Sequence, residues 1–170
     1  NEGVFGVGGN GAFDMWGVLY PSIVAEPSGY TMFYTGFSGT SYAIGRAKDF
    51  VRAPETPVLN SGAALDFDNR SVAQSYVRRH AGRYLMWYGG YDTSSSNPGP
   101  YRVGFAESKD GITWSKRGAV IPLGERGSDA WSTRDPAVVP MFGKALMFYI
   151  GMGDDGRYRY LITLTGVSRF

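Results

Sequence analysis

The stretch Tyr84–Gly90 reads YLMWYGG, and the chain contains two further versions of it. Tyr30–Gly36 reads YTMFYTG, and Ala145–Gly151 reads ALMFYIG. A methionine (Met32, Met86, Met147), a tyrosine two places on (Tyr34, Tyr88, Tyr149) and a closing glycine (Gly36, Gly90, Gly151) hold matching positions. The versions start 54 and 61 residues apart. A period of this size marks a repeat array, in which each unit buries its apolar face against its neighbours.

The match extends outward. A second phrase begins ten residues before each copy: YPSIV at Tyr20–Val24, QSYVR at Gln74–Arg78 and DPAVV at Asp135–Val139. An aspartate stands six residues earlier still, at Asp14, Asp68 and Asp129, each beside aromatics. VFGVG at Val4–Gly8 matches VLNSG at Val58–Gly62, and VIPLG at Val120–Gly124 is a looser third copy. The approximate units are therefore 1–56, 57–118 and 119–170 of one repeat domain.

Each unit reads as strands. The first is centred near Ile23, Val77 and Val138, and the Met-aromatic phrase is the second. A third follows at Tyr42–Ala47, Tyr101–Glu107 and Tyr158–Thr165. A short fourth strand is expected at Pro57–Leu59, with equivalents near Val4 and Val120. Turn residues separate them at Pro27–Gly29, Ala81–Gly82, Lys109–Gly111 and Asp154–Gly156. Asp92–Pro100 (DTSSSNPGP) reads as a long exposed loop. Helices are not expected, because 25 glycines and 9 prolines in 170 residues interrupt every candidate stripe. The fold class is all-β, with propeller-type blades of antiparallel strands in about three repeat units.

Composition narrows the function. Hydrophobic residues make up 43% of the chain, which argues against disorder. There is no run of 18 apolar residues and no basic segment leading into an apolar one, so neither a membrane span nor a signal peptide is expected. The chain opens at Asn1 rather than Met, which points to processing or to a piece of a longer protein. With no cysteine, disulfides and thiolate metal sites are excluded. A net charge of +2 is too small a footprint for nucleic acid. The basic cluster Arg78, Arg79, His80 and Arg83 reads as a solvated hairpin turn, and His80 as neither base nor metal ligand. Nothing in the sequence requires a cofactor or a metal.

TRDPAVV at Thr133–Val139, YLMWYGG at Tyr84–Gly90 and VGFAESKDGITWSK at Val103–Lys116 carry a resemblance. In the last, ESKDG is the tight turn and Trp114 closes the strand after it. From about Val4 to Ile162 the chain resembles the five-bladed propellers of the furanosidase-like glycoside hydrolases. Those include the arabinanase/xylosidase and invertase/levanase groups and the related mannoside phosphorylases. The motifs are specific for the architecture and much less so for the reaction. The resemblance implies a carbohydrate partner and acidic residues at the start of several innermost strands, converging on a central channel. Asp135 is the matching acid here, whereas Tyr20 and Gln74 occupy its register in the other two units. Related propellers also hold calcium in the channel, a role the aspartates could serve without leaving a spacing signature.

Glycosidic chemistry uses a pair of carboxyls, one as acid and one as base or nucleophile. Asp135 would be one of them, with Asp14 or Asp68 the candidate for the other. A residue that recurs in every unit, as Asp14, Asp68 and Asp129 do, also suits a turn or cap. Tyr20 and Gln74 suit hydrogen bonds to sugar hydroxyls. Trp16, Asn69, Arg70, Trp131 and Arg134 precede the inner strands, where they would surround the channel mouth and bind substrate. Three function classes follow: a glycosidase-like domain, a glycan-binding module without catalysis, and a structural propeller fragment that self-assembles. Three units are too few to close a ring alone. Homo-oligomer formation that completes the ring is therefore expected.

Overall fold

The computed structural model describes residues 4–93, 100–141 and 144–164. Residues 94–99 of the expected Asp92–Pro100 loop lie outside the described residues. Eleven strands form three separate antiparallel sheets, and no helix occurs among the described residues.

The first sheet runs β1 (Gly17–Glu26), β2 (Gly29–Phe37), β3 (Tyr42–Lys48) and β4 (Val51–Arg52) in chain order. The second runs β5 (Ser71–His80), β6 (Arg83–Tyr91), β7 (Tyr101–Ser108) and β8 (Ser115–Ala119) in the same way. The third holds β9 (Ser132–Met141), β10 (Lys144–Met152) and β11 (Tyr158–Leu164). These are three propeller-type blades, each a meander whose first strand is innermost.

The fourth strand lies beside the expected Val120 in the second blade and away from the expected place in the first. Pro57–Leu59 contributes one bridge, Ile44 with Leu59, while the fourth strand of the first blade is Val51–Arg52. In the second blade it is Ser115–Ala119, and no strand forms near Val4. Trp114 accordingly precedes its strand rather than closing it. The Asp110 turn explains this: Ser108 Oγ accepts from the amide of Gly111 at 2.8 Å, and Asp110 Oδ1 from those of Ile112 and Thr113 at 2.8 Å. Those amides, with the Ser108 hydroxyl, hold the Asp110 carboxyl down at about 2. The turned chain aims Trp114 back at the core, edge-on to Phe33 at 5.6 Å.

The central strand of the second blade is buried on both faces because that blade is wedged between the other two. Along β6, Met86 and Tyr88 face the first blade, packing with Val24, Phe33 and Ile44. Their alternates Leu85 and Trp87 face the third blade, packing with Val138, Met147 and Tyr149. Hydroxyls pin the junctions: Ser71 Oγ accepts from the Tyr42 amide and Ser132 Oγ from the Tyr101 amide, both at 3.1 Å.

The closing glycine of the phrase has a steric reason. A Cβ on Gly90 would stand 2.3 Å from Phe67 and 2.6 Å from Cβ of Asp68. Gly36 and Gly151 meet Asp14 and Asp129 in the same way, at 2.7 and 3.0 Å.

Candidate functional site

The three inner strands share one irregularity. Along β1, Leu19 pairs with Thr35 and Ser22 with Phe33, so Tyr20 and Pro21 together oppose Tyr34. Along β5, Gln74 and Ser75 oppose Tyr88 by the same skip. Along β9, Asp135 and Pro136 oppose Tyr149. Each is a β-bulge, two residues against one.

The first residue of every bulge is left-handed, with φ of 49° at Tyr20, 57° at Gln74 and 53° at Asp135. None is glycine, so each costs on the order of 1–2 kcal/mol. Proline suits the second position because the ladder needs no N–H there. At Gln74 the amide released from the ladder donates instead to Thr35 Oγ1 of the preceding blade at 2.9 Å.

The bulges turn these side chains into one cleft of about 870 Å³ between β1, β5 and β9. Tyr20, Gln74 and Asp135 stand in matching register along it, with Ser75 beside Gln74 and Arg78 and Arg79 further along β5. Asp135 is the one carboxylate among the described residues that line the cleft. Burial pushes its carboxyl up from the ordinary aspartate value, and Arg134 opposes that shift. Arg134 Nε lies 3.5 Å from Asp135 Oδ2. Its guanidinium stacks 4.6 Å over the Tyr158 ring. Gln74 Oε1 and Ser75 Oγ are buried without a hydrogen-bond partner in the protein.

Asp14 and Asp68 do not join Asp135. Both carboxylates are buried outside the cleft, near the opening end of their blades. Asp14 Oδ2 accepts from the Tyr34 hydroxyl at 3.0 Å and from Arg52 Nε at 2.8 Å. Asp68 Oδ2 accepts from the Tyr88 hydroxyl at 2.9 Å and pairs with Lys116 at 2.6 Å. Asp129 accepts from Tyr149 at 2.9 Å. The same bond to Oδ2 recurs in every blade, while Oδ1 of Asp14 and of Asp68 is buried without a hydrogen-bond partner in the protein. Among the described residues no group of three or more His, Cys, Asp or Glu side chains is placed to hold a metal.

The mouth residues are likewise dispersed. Trp16 is 68% exposed and lies against Gly39. Asn69 clasps its own loop, donating to the Ala64 carbonyl at 2.6 Å and accepting from the Thr93 amide at 3.0 Å. Arg70 stacks 5.3 Å over Tyr91, and Trp131 is half-buried with its amide on the Met152 carbonyl. None of the four lines the cleft, whereas Arg134 touches Asp135.

Ser75, Arg78 and Arg79 belong to the cleft although the sequence reading passed over Ser75 and put the arginines in a solvated turn. Both arginines lie on β5. Arg78 donates to the Val138 carbonyl at 3.2 Å, tying the second blade to the third. Their position directly after Val77 in the inner-strand phrase was the available signal.

No family model matches the chain. Two curated relatives do, the uncharacterized proteins MT1551 and Rv1502 of Mycobacterium tuberculosis, strains CDC 1551 / Oshkosh and H37Rv. Each is 30% identical across 93% of this chain and 55% of its own length. The chain thus spans about half the length of the curated relatives it matches. Among solved structures it is similar to Zg3597, a family 117 glycoside hydrolase of Zobellia galactanivorans, with a TM-score of 0.76 at 18% identity. That match covers 94% of this chain and 55% of the other. The sucrose-6-phosphate hydrolase of Lactobacillus gasseri matches with a TM-score of 0.67 at 15% identity, over 91% of this chain and 33% of its own. The β-1,2-mannobiose phosphorylase of Listeria innocua matches with 0.63 at 16%, over 90% and 42%. At such identities the likeness establishes a propeller-type fold.

Proposed function

We propose that this chain is a carbohydrate-active propeller-type domain whose inner-strand cleft holds a glycan. The observation that carries this reading is the convergence of Tyr20, Gln74 and Asp135, each at a left-handed bulge, on that cleft. Strained, non-glycine backbone repeated at one cleft is where ligand groups are held in place. The chemistry suits polyols. Gln74 lines the cleft, and its side-chain amide suits a sugar hydroxyl, which both donates and accepts. Tyr20, 48% exposed, offers a ring face to the apolar side of a sugar. Asp135 accepts from hydroxyls when ionised. The glycoside hydrolases and the phosphorylase of similar fold support the substrate class by analogy.

Binding without hydrolysis is the form the cleft favours. Hydrolysis of a glycosidic bond needs two carboxyls flanking it, and the described residues place one there. The raised Asp135 carboxyl suits a proton donor, which keeps a glycosidase as the second reading provided the other carboxyl comes from outside this cleft.

Calorimetric titration with a panel of neutral oligosaccharides tests the reading, with an aryl-glycoside panel run alongside. Binding is expected, weakened about tenfold or more in Gln74→Ala and Asp135→Asn, because each alters a polar group that lines the cleft. Turnover that disappears in Asp135→Ala would select the glycosidase. Absence of both binding and turnover, or binding indifferent to both substitutions, would end the proposal.

A further inference from the structure

The cleft carries two arginines that the sugar contacts at the bulges leave unused. Arg78 and Arg79 lie on β5, beyond the bulge at Gln74. That strand is the middle one of the three inner strands, with a blade packed on either side. At about 3.3 Å per residue, Arg78 stands roughly 13 Å along the strand from Gln74, a span longer than one sugar ring.

Both guanidinium groups are held in place without a counter-charge. Arg78 is half-buried and donates to the Val138 carbonyl on β9 at 3.2 Å. Arg79 stacks 5.0 Å over the ring of Tyr84, which packs edge-on to Phe33 of the first blade. Among the described residues no carboxylate pairs with either arginine. Glu26 accepts from the Tyr84 hydroxyl, but its charge is met by Lys48 at 3.2 Å. Asp135, the other charged residue among those described in the cleft, sits at the bulge end. Val24 and Ala25 on β1 and Val139 and Pro140 on β9 stand level with the arginines by register and line the cleft there. Apolar walls of this kind strengthen the pull of a fixed charge on an ion.

We propose that the cleft takes an acidic glycan, with a neutral ring at the bulges and a ring bearing a carboxylate, as a uronic acid does, at Arg78 and Arg79. This rests on the reading of the cleft as a glycan site. A guanidinium fork meets a carboxylate with two parallel N–H donors. The Val138 carbonyl and the Tyr84 ring restrict both side chains before any ligand arrives, so binding has less to order. Asp135 repels a carboxylate placed at the bulge end, so the two poles also fix the direction in which the glycan lies. An uncharged glycan satisfies the bulge end alone and leaves the arginines to water.

Calorimetric titration of the full chain tests this with two oligosaccharides. One has neutral rings and a single uronic acid ring, and the other is the same molecule with its carboxyl reduced to the alcohol. The uronate form should bind about tenfold or more tightly, and the difference should shrink as sodium chloride is raised. Arg79 is exposed, so Arg79→Gln should keep the near-UV circular dichroism of the parent. It should weaken the uronate form and leave the reduced form unchanged, and Arg78→Gln should do the same. Inorganic phosphate, the third probe, should bind far more weakly than the uronate form. Equal affinity for the two oligosaccharides, or a preference indifferent to both substitutions, would overturn the acidic assignment and leave the glycan reading standing. Phosphate bound as tightly as the uronate form would overturn it in favour of a free anion. If neither oligosaccharide binds, the glycan reading itself falls, and this inference with it.

Discussion

The Tyr88 hydroxyl donates to Oδ2 of Asp68 across 2.9 Å, from twenty residues further along the chain. Tyr34 with Asp14 and Tyr149 with Asp129 repeat the bond at the same separation. The bond closes each blade by tying its second strand to the segment that precedes its first. The other letters of the repeated phrase have their own tasks: Met86 and Met147 fill the junctions between blades, and the glycine makes room for the aspartate.

Tyr88→Phe removes a donor from a buried carboxylate and should cost about 1.5–3 kcal/mol in urea unfolding. Burial pushes the Tyr88 phenol far up, and the Asp68 charge adds to this, so the phenol stays protonated. A raised phenol contributes stability that is complete below its unfolded value and lost only as pH rises through the folded one. The cost should therefore be level from pH 5 to 9. A cost that vanishes within that range would contradict the assignment.

Gly90→Ala should destabilise by about 1–3 kcal/mol or more, because the added methyl overlaps Phe67 and Asp68. Gly9→Ala is the control. That position has open space and no left-handed backbone, so its midpoint should move little.

Asp135→Asn should stabilise the folded chain at neutral pH. Desolvation raises the Asp135 carboxyl, against a lowering influence from Arg134, so the folded state resists its ionisation. Such a group contributes stability that is present in full below the unfolded value and lost as pH rises through the folded one. The asparagine variant never ionises. Its melting temperature should exceed that of the parent at pH 7, and the gap should close as pH falls below the ordinary aspartate value. A gap that widens on acidification would reverse the sign.

Tyr20→Gly should leave stability unchanged or raise it by about 1 kcal/mol, although a glycine within a strand ordinarily weakens it. The residue is left-handed at φ 49° and half-exposed, so relief of strain outweighs the packing lost. Glycan binding should weaken in the same variant. A cost above 2 kcal/mol on chemical denaturation would mean that the ring, not the backbone, sets the balance there.

Much of this was legible as text. The period located the three sheets, and the alternation of Met86 with Leu85 and Trp87 matches a strand buried on both sides. The constant spacing between Asp14 and Tyr34, Asp68 and Tyr88, and Asp129 and Tyr149 already encoded a pairing, yet carboxylates near an expected channel invite a catalytic reading. The bulges were hidden. A left-handed first position usually announces itself with glycine, and here it is filled by tyrosine, glutamine and aspartate. The fourth strand of the first blade was misplaced because Val51–Arg52 has too few residues to show any alternation. Arg78 looked like part of a turn because a side chain bonded to the backbone of the next blade leaves no mark on its own sequence neighbours.

The bulge separates place from identity. One backbone turn recurs under a phenol, an amide and a carboxylic acid, so the scaffold prescribes where a group stands and is indifferent to which group it is. Exchanging the residues at 74 and 135 would leave both strand registers intact and transfer the cleft's negative pole from one blade to the next. A bound sugar would then be expected to turn about the cleft axis rather than leave it. New ligand preferences are thus open to this architecture through permutation of three side chains, with the junctions between blades undisturbed.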